Sequence, residues 1–176
     1  MVPHNGRFKP ENVIFVGLMP DPKEPKTNKI NNHIEPIVDE LIQLYHGIRM
    51  PTIEFPVGEV IRAALMMVAC DIPAVRNTSG FTTLNSSCAS FKRNRHFTRL
   101  DSTNKVDFRG FKESEWCRRS CEYNRLHAEE WKNGVTLSER QHLGIENGVR
   151  WSQLHRLGYF DLVRGTIIDP AHSLLL

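Results

Sequence analysis

Apolar side chains fall into short blocks along this chain, separated by connections rich in proline and glycine. Asn12–Leu18 (NVIFVGL) is β-branched and aromatic, bounded by Pro10 and Pro20, and predicts a strand. Residues 20–28 (PDPKEPKTN) hold three prolines in nine positions and predict a loop. Ile34, Ile37, Val38, Leu41, Ile42 and Tyr45 then recur at the three-and-four spacing of one helix face. That predicts an amphipathic helix ended by Gly47, with Pro36 in its first turn, where a missing N–H is harmless. Residues 48–58 (IRMPTIEFPVG) read as a connection with room for a short edge strand. From Val60 to Cys70 the run is either a buried strand or a buried helix, and Ala63–Cys70 has no polar side chain at all. Pro73, just beyond, favours a strand feeding a helix that starts near Ile72.

After Phe81 the pattern changes. Residues 82–110 are polar and include FKRNRHFTR (Phe91–Arg99), with five basic residues in nine. Helices are predicted from Glu113 to Trp131, capped by Ser114, and from Leu137 to Gly148, capped by Ser138. Residues 149–176 return to apolar patterning. Residues 1–81 and 149–176 therefore read as parts of one core, and 82–148 as a mostly helical or irregular insertion. The expected class is α/β.

Composition narrows this picture only a little. At 176 residues, 40% hydrophobic and 24% charged, the chain has room for one sizeable core. A net charge of +3 permits a nucleic-acid partner without requiring one. No apolar N-terminal segment resembles a secretion signal, and no apolar run is long enough to span a membrane. The expected location is nuclear or cytoplasmic, with Cys70, Cys88, Cys117 and Cys121 reduced. The terminal AHSLLL has no polar cap and reads as a chain that continues.

Four features carry candidate chemistry. Asp71 ends the apolar run, where a carboxylate at a strand's carboxyl end can hold Mg²⁺ or can cap the following helix. Cys88 opens a C-x-x-C spacing that Phe91 leaves unfinished, while Cys117 and Cys121 are spaced like one helical turn. Lys92, Arg93, Arg95 and Arg99, interleaved with Phe91, His96 and Phe97, can contact phosphates and bases. His127, His142 and His155 read as surface or packing residues.

Four blocks in order resemble the transposases of CACTA (En/Spm-type) DNA transposons. They are FKPENVIFVGLMPDPKEPKTN, IVDELIQLY, IRAALMMVACDIPAVRNTSGF and GVRWSQLHRLGYFDLVRGTIIDPAHSLLL, covering most of residues 7–91 and 148–176. The resemblance implies a DDE recombinase on an RNase H-like fold that uses Mg²⁺ or Mn²⁺ on DNA. It implies that Asp71 is the second metal-binding carboxylate and that His172, in the IDPAH block, lies close to the active site. Cys88 matches the first cysteine of a zinc pair whose second position is Phe91 here, a degenerate motif. The family's first Asp lies upstream of these blocks, and its third acid and zinc histidines lie downstream. The resemblance thus implies an internal fragment or relic, holding one catalytic carboxylate of three and inactive alone. Two rival expectations stand beside it. One is a domesticated module that binds DNA or a full-length transposase through Lys92–Arg99. The other is an active nuclease completed by Asp101, Asp107, Asp161 or Asp169.

Overall fold

The computed structural model describes residues 9–17, 27–83, 86–101, 103, 105–109, 112, 114 and 116–169. Helix α1 (Thr27–His46) forms because Ile30, Ile34 and Val38 share one face and bury it at 5%, 7% and 0% exposure. It starts earlier than its pattern predicts, so Pro36 lies in the interior instead of the first turn. The buried face offsets the hydrogen bond that Pro36 cannot donate. Gly47 ends the helix at φ 103°, its N–H donating to the Gln43 carbonyl at 2.9 Å.

Strands β1 (Ile48–Met50) and β2 (Glu59–Ile61) form an antiparallel pair. Strand β3 (Val68–Cys70) leads into α2 (Ile72–Thr78) and pairs in parallel with the last strand, β6 (Thr166–Ile168). Between them lie β4 (Arg93–Asn94) and β5 (Cys117–Arg118), an antiparallel pair. Helices α3 (Cys121–Asn133) and α4 (Leu137–Asn147) follow, then a 3-10 turn (Gln153–Arg156) and a short α5 (Leu162–Gly165).

One buried cluster joins Ile30, Ile34 and Val38 of α1 to Leu154, Leu157, Phe160 and Leu162. Polar contacts lock the same seam. The Asn31 side chain donates to the Trp151 carbonyl at 3.2 Å and accepts the Gln153 N–H at 3.0 Å. Tyr45 stacks on Tyr159, ring centroids 4.0 Å apart, and the Tyr159 hydroxyl accepts the Leu65 N–H. Residues 80–82 run alongside residues 148–150. Phe81 bridges Val149, the Arg150 N–H donates to the Gly80 carbonyl, and the Thr82 N–H donates to that of Gly148. Gly80 is required there: its φ is 73°, and a Cβ would stand 2.3 Å from the Arg150 carbonyl oxygen.

Four local expectations are corrected. Residues 13–17 form no strand among the described residues, and Ile14 is 86% exposed. β-propensity becomes a strand only where a neighbour supplies a ladder. The apolar run 63–70 is not buried throughout: Met66 is 78% exposed and only 68–70 is a strand. Among the described residues β3 has one neighbour, β6, so most of the run lacks a covering surface. Helix α3 starts at Cys121, not Glu113, because the chain before it is extended as β5. Ser120 is its cap, accepting the Tyr123 N–H at 3.1 Å. Similarly, α4 is capped by Thr136 rather than Ser138, in a reciprocal box with Glu139. No helix among the described residues is long and apolar enough to cross a membrane.

Candidate functional site

Asp71 stands at the carboxyl end of β3. Its Oδ1 accepts the Ala74 N–H at 2.8 Å, capping α2, so helix capping occupies one carboxylate oxygen. The parallel ladder pairs Cys70 with Ile168 and continues through the Asp169 N–H, which donates to the Cys70 carbonyl at 2.9 Å. Asp71 and Asp169 therefore leave neighbouring strand ends, with backbones about one inter-strand spacing of roughly 5 Å apart. Burial and the nearby Asp71 carboxylate both push the Cys70 thiol pKa up. Of the sequence candidates, Asp169 is thus the acid the fold sets beside Asp71. Asp161 instead caps α5, accepting the Val163 and Arg164 N–H groups, and Asp107 pairs with Arg109 at 2.9 Å. His172 lies outside the described residues.

Two adjoining carboxylates can hold one hard cation through oxygen ligands. Two-metal strand chemistry needs more converging acids, and no group of three or more His, Cys, Asp or Glu residues gathers among the described residues. The zinc motif fits a metal less well. Cys88 is 1% exposed and its Sγ accepts a hydrogen bond from the Arg119 guanidinium at 3.3 Å, a cation where a second cation would have to sit. Cys117 and Cys121 do not share a helix face, since Cys117 belongs to β5 and Cys121 opens α3.

The basic run is organised around β4 and β5. Lys92 turns inward and donates to the Val163 and Thr166 carbonyls, the latter at 2.7 Å, and burial lowers its pKa. Its ammonium ties this loop to α5 and β6 rather than facing a ligand. Arg93 lies over the Trp116 ring at 5.5 Å and Arg95 over the Phe97 ring at 5.6 Å. Arg99 is exposed beside the isolated bridge between its own backbone and that of Val106. From β5 comes Arg118, exposed, and just past the strand Arg119 is buried at 4%.

Behind the ribbon, Arg76, Arg119 and Arg150 bind backbone carbonyls instead of carboxylates. Arg76 donates to the Thr82 carbonyl at 2.6 Å, Arg119 to that of Asn147 at 2.7 Å, and Arg150 to that of Phe81. Burial lowers all three pKa values, that of Arg150 to about 10, and the charges of Arg119 on Arg76 and of Arg76 on Arg150 add to it. They remain charged at neutral pH, so the ribbon carries positive potential from both sides.

Two open clefts flank Arg93. A 550 Å³ cleft is lined by Lys92, Arg93, Arg118, Arg119 and Arg164, with Glu122 and Asp161 its carboxylates. A 260 Å³ cleft on the other side is lined by Arg76, Arg93, Arg95, Phe97, Phe108 and Trp116. Sequence reasoning found Arg93 and Arg95 but missed Arg76, Arg118, Phe108 and Trp116. The signal for two of them was present in EWCRRS, where an aromatic precedes paired arginines.

The chain matches the model of the transposase family tnp2 over residues 2–143. The match runs through most of segment 82–148 and stops short of 149–176. No curated protein and no solved structure matches the chain.

Proposed function

This chain belongs to the tnp2 transposase family, and from that we propose that it is a DNA-holding part of a CACTA-type DDE transposase that does not cut DNA alone. The supporting observation is the β4–β5 ribbon, which places Arg93, Arg95 and Arg118 around two clefts with few carboxylates among the described residues. Phosphate neutralisation by such cations supplies sequence-independent affinity for DNA. The parallel β3–β6 pair, with Asp71 and Asp169 at its carboxyl ends and α2 following, is compatible with an RNase H-like core. In that reading these two carboxylates would hold one Mg²⁺ or Mn²⁺, which would supply part of the positive charge that strand chemistry needs. The chain's own part is to fix Asp71 through the Ala74 N–H and to hold the DNA backbone at the ribbon.

A domesticated DNA- or transposase-binding module would use the same ribbon without the acids. The active-nuclease alternative is favoured by one observation, the adjacency of Asp169 to Asp71. One experiment separates these readings. Incubated with supercoiled plasmid and Mg²⁺ or Mn²⁺, the protein is expected to retard the plasmid and leave it unnicked. Nicking that Asp71→Asn abolishes would replace this reading with an active nuclease, and a plasmid that is not retarded would remove the DNA association itself.

A further inference from the structure

The smaller cleft beside Arg93 has a chemistry of its own, distinct from a surface that merely attracts phosphate. Its walls are rings and guanidinium planes. Phe97 and Phe108 meet edge to face with centroids 5.0 Å apart, Arg95 lies over Phe97, and Arg93 lies over Trp116. Phe108 stands at the opening, 52% exposed although it is a large apolar ring. Arg76 reaches the cleft from α2 and is 6% exposed, and its Nε has no hydrogen-bond partner among the described residues. Among the described residues no carboxylate lines the cleft.

These features together narrow the occupant. An apolar peptide side chain has no need of three arginines, and a free phosphate has no need of three aromatic rings. At 260 Å³ the space is below the roughly 300–1,000 Å³ of drug-sized sites, which suits a single planar ring system. A flat group with π-faces and an attached anion satisfies both walls. Arg93 also lines the larger basic cleft, so a ring seated here carries its phosphate toward Arg93 and Arg118. Bases within a duplex are stacked and cannot reach such a cleft, whereas an unpaired or extruded base can.

We infer that the cleft formed by Arg76, Arg93, Arg95, Phe97, Phe108 and Trp116 receives one unpaired base of a DNA strand. This rests on the DNA-holding reading above and adds the form of DNA held. The test uses the full chain and two duplexes of one sequence, fully paired or carrying a single-nucleotide bulge with 5-iododeoxyuridine at the unpaired position. Aromatic stacking of one base is expected to favour the bulged duplex by roughly five-fold or more in fluorescence anisotropy. Irradiation is expected to couple the bulge to peptides carrying Phe97, Phe108 or Trp116. Phe108→Leu, which keeps apolar volume but removes the π-face, is expected to bring the affinity ratio toward one, with folding checked by circular dichroism. Equal affinities for the two duplexes, or cross-links mapping elsewhere, overturn the inference while leaving DNA holding intact. Binding of neither duplex overturns both.

Discussion

Asp71 shows how one side chain can serve structure while standing where chemistry is expected. A carboxylate after an all-apolar run could be read in the sequence as a helix cap or a metal ligand. The fold shows the cap directly, in the bond from the Ala74 N–H, and also sets Asp169 on the neighbouring strand end. The two roles respond differently to substitution. Asp71→Ala removes the cap and is expected to cost about 1 kcal/mol in urea unfolding. Asp71→Asn keeps a capping oxygen and is expected to cost only a few tenths of that, while removing the charge a divalent cation needs. If both variants unfold at the same urea concentration, the cap contributes nothing at this site. Lys92 gives the converse lesson: a residue in an evident basic run is committed to two backbone carbonyls. Spacing alone could not reveal that, because its acceptors lie more than seventy residues away.

At the level of elements, what was legible followed local rules, and what was not depended on distant partners. Helix α1 and its stop at Gly47 were readable from an apolar stripe and a glycine. Even the true cap of α4 was present as Thr136-x-x-Glu139, a capping box passed over for Ser138. The β4–β5 ribbon was not legible. Its strands are two residues each and pair across more than twenty residues of chain, so they leave no periodic trace. The joint between α3 and the 3-10 turn was equally hidden. The His155 Nδ1 accepts the Ser152 N–H at 3.1 Å, and its Nε2–H donates to the Asn124 Oδ1 at 3.0 Å. Burial lowers the His155 pKa to about 4, with the charges of Arg125 and Lys132 assisting. Between that value and about 6.5 the unfolded chain binds the extra proton, so stability rises with pH across this window. The protein is therefore expected to lose roughly 2 kcal/mol between pH 7 and pH 5, approaching roughly 3 kcal/mol below pH 4. Because His155→Gln lacks that titration, the stability gap between it and the native chain should close as pH falls. Parallel pH profiles would show that His155 is not buried neutral.

The whole molecule places a family assignment, a small apolar core and a cationic ribbon in one arrangement. The core joins α1 to residues 154–162, although those residues lie beyond the family match. The ribbon is tied to α5 and β6 by Lys92. With a net charge of only +3, the proposed affinity for DNA would have to come from where cations sit rather than how many there are. That makes salt dependence the direct measure of the ribbon's role. In fluorescence anisotropy with a short duplex between about 50 and 200 mM salt, log K should fall linearly with log salt concentration. The expected slope is about −2 to −4, and Arg118→Ala should flatten it by about one. A slope near zero, or no binding at the lowest salt, would contradict a DNA-holding role for this chain.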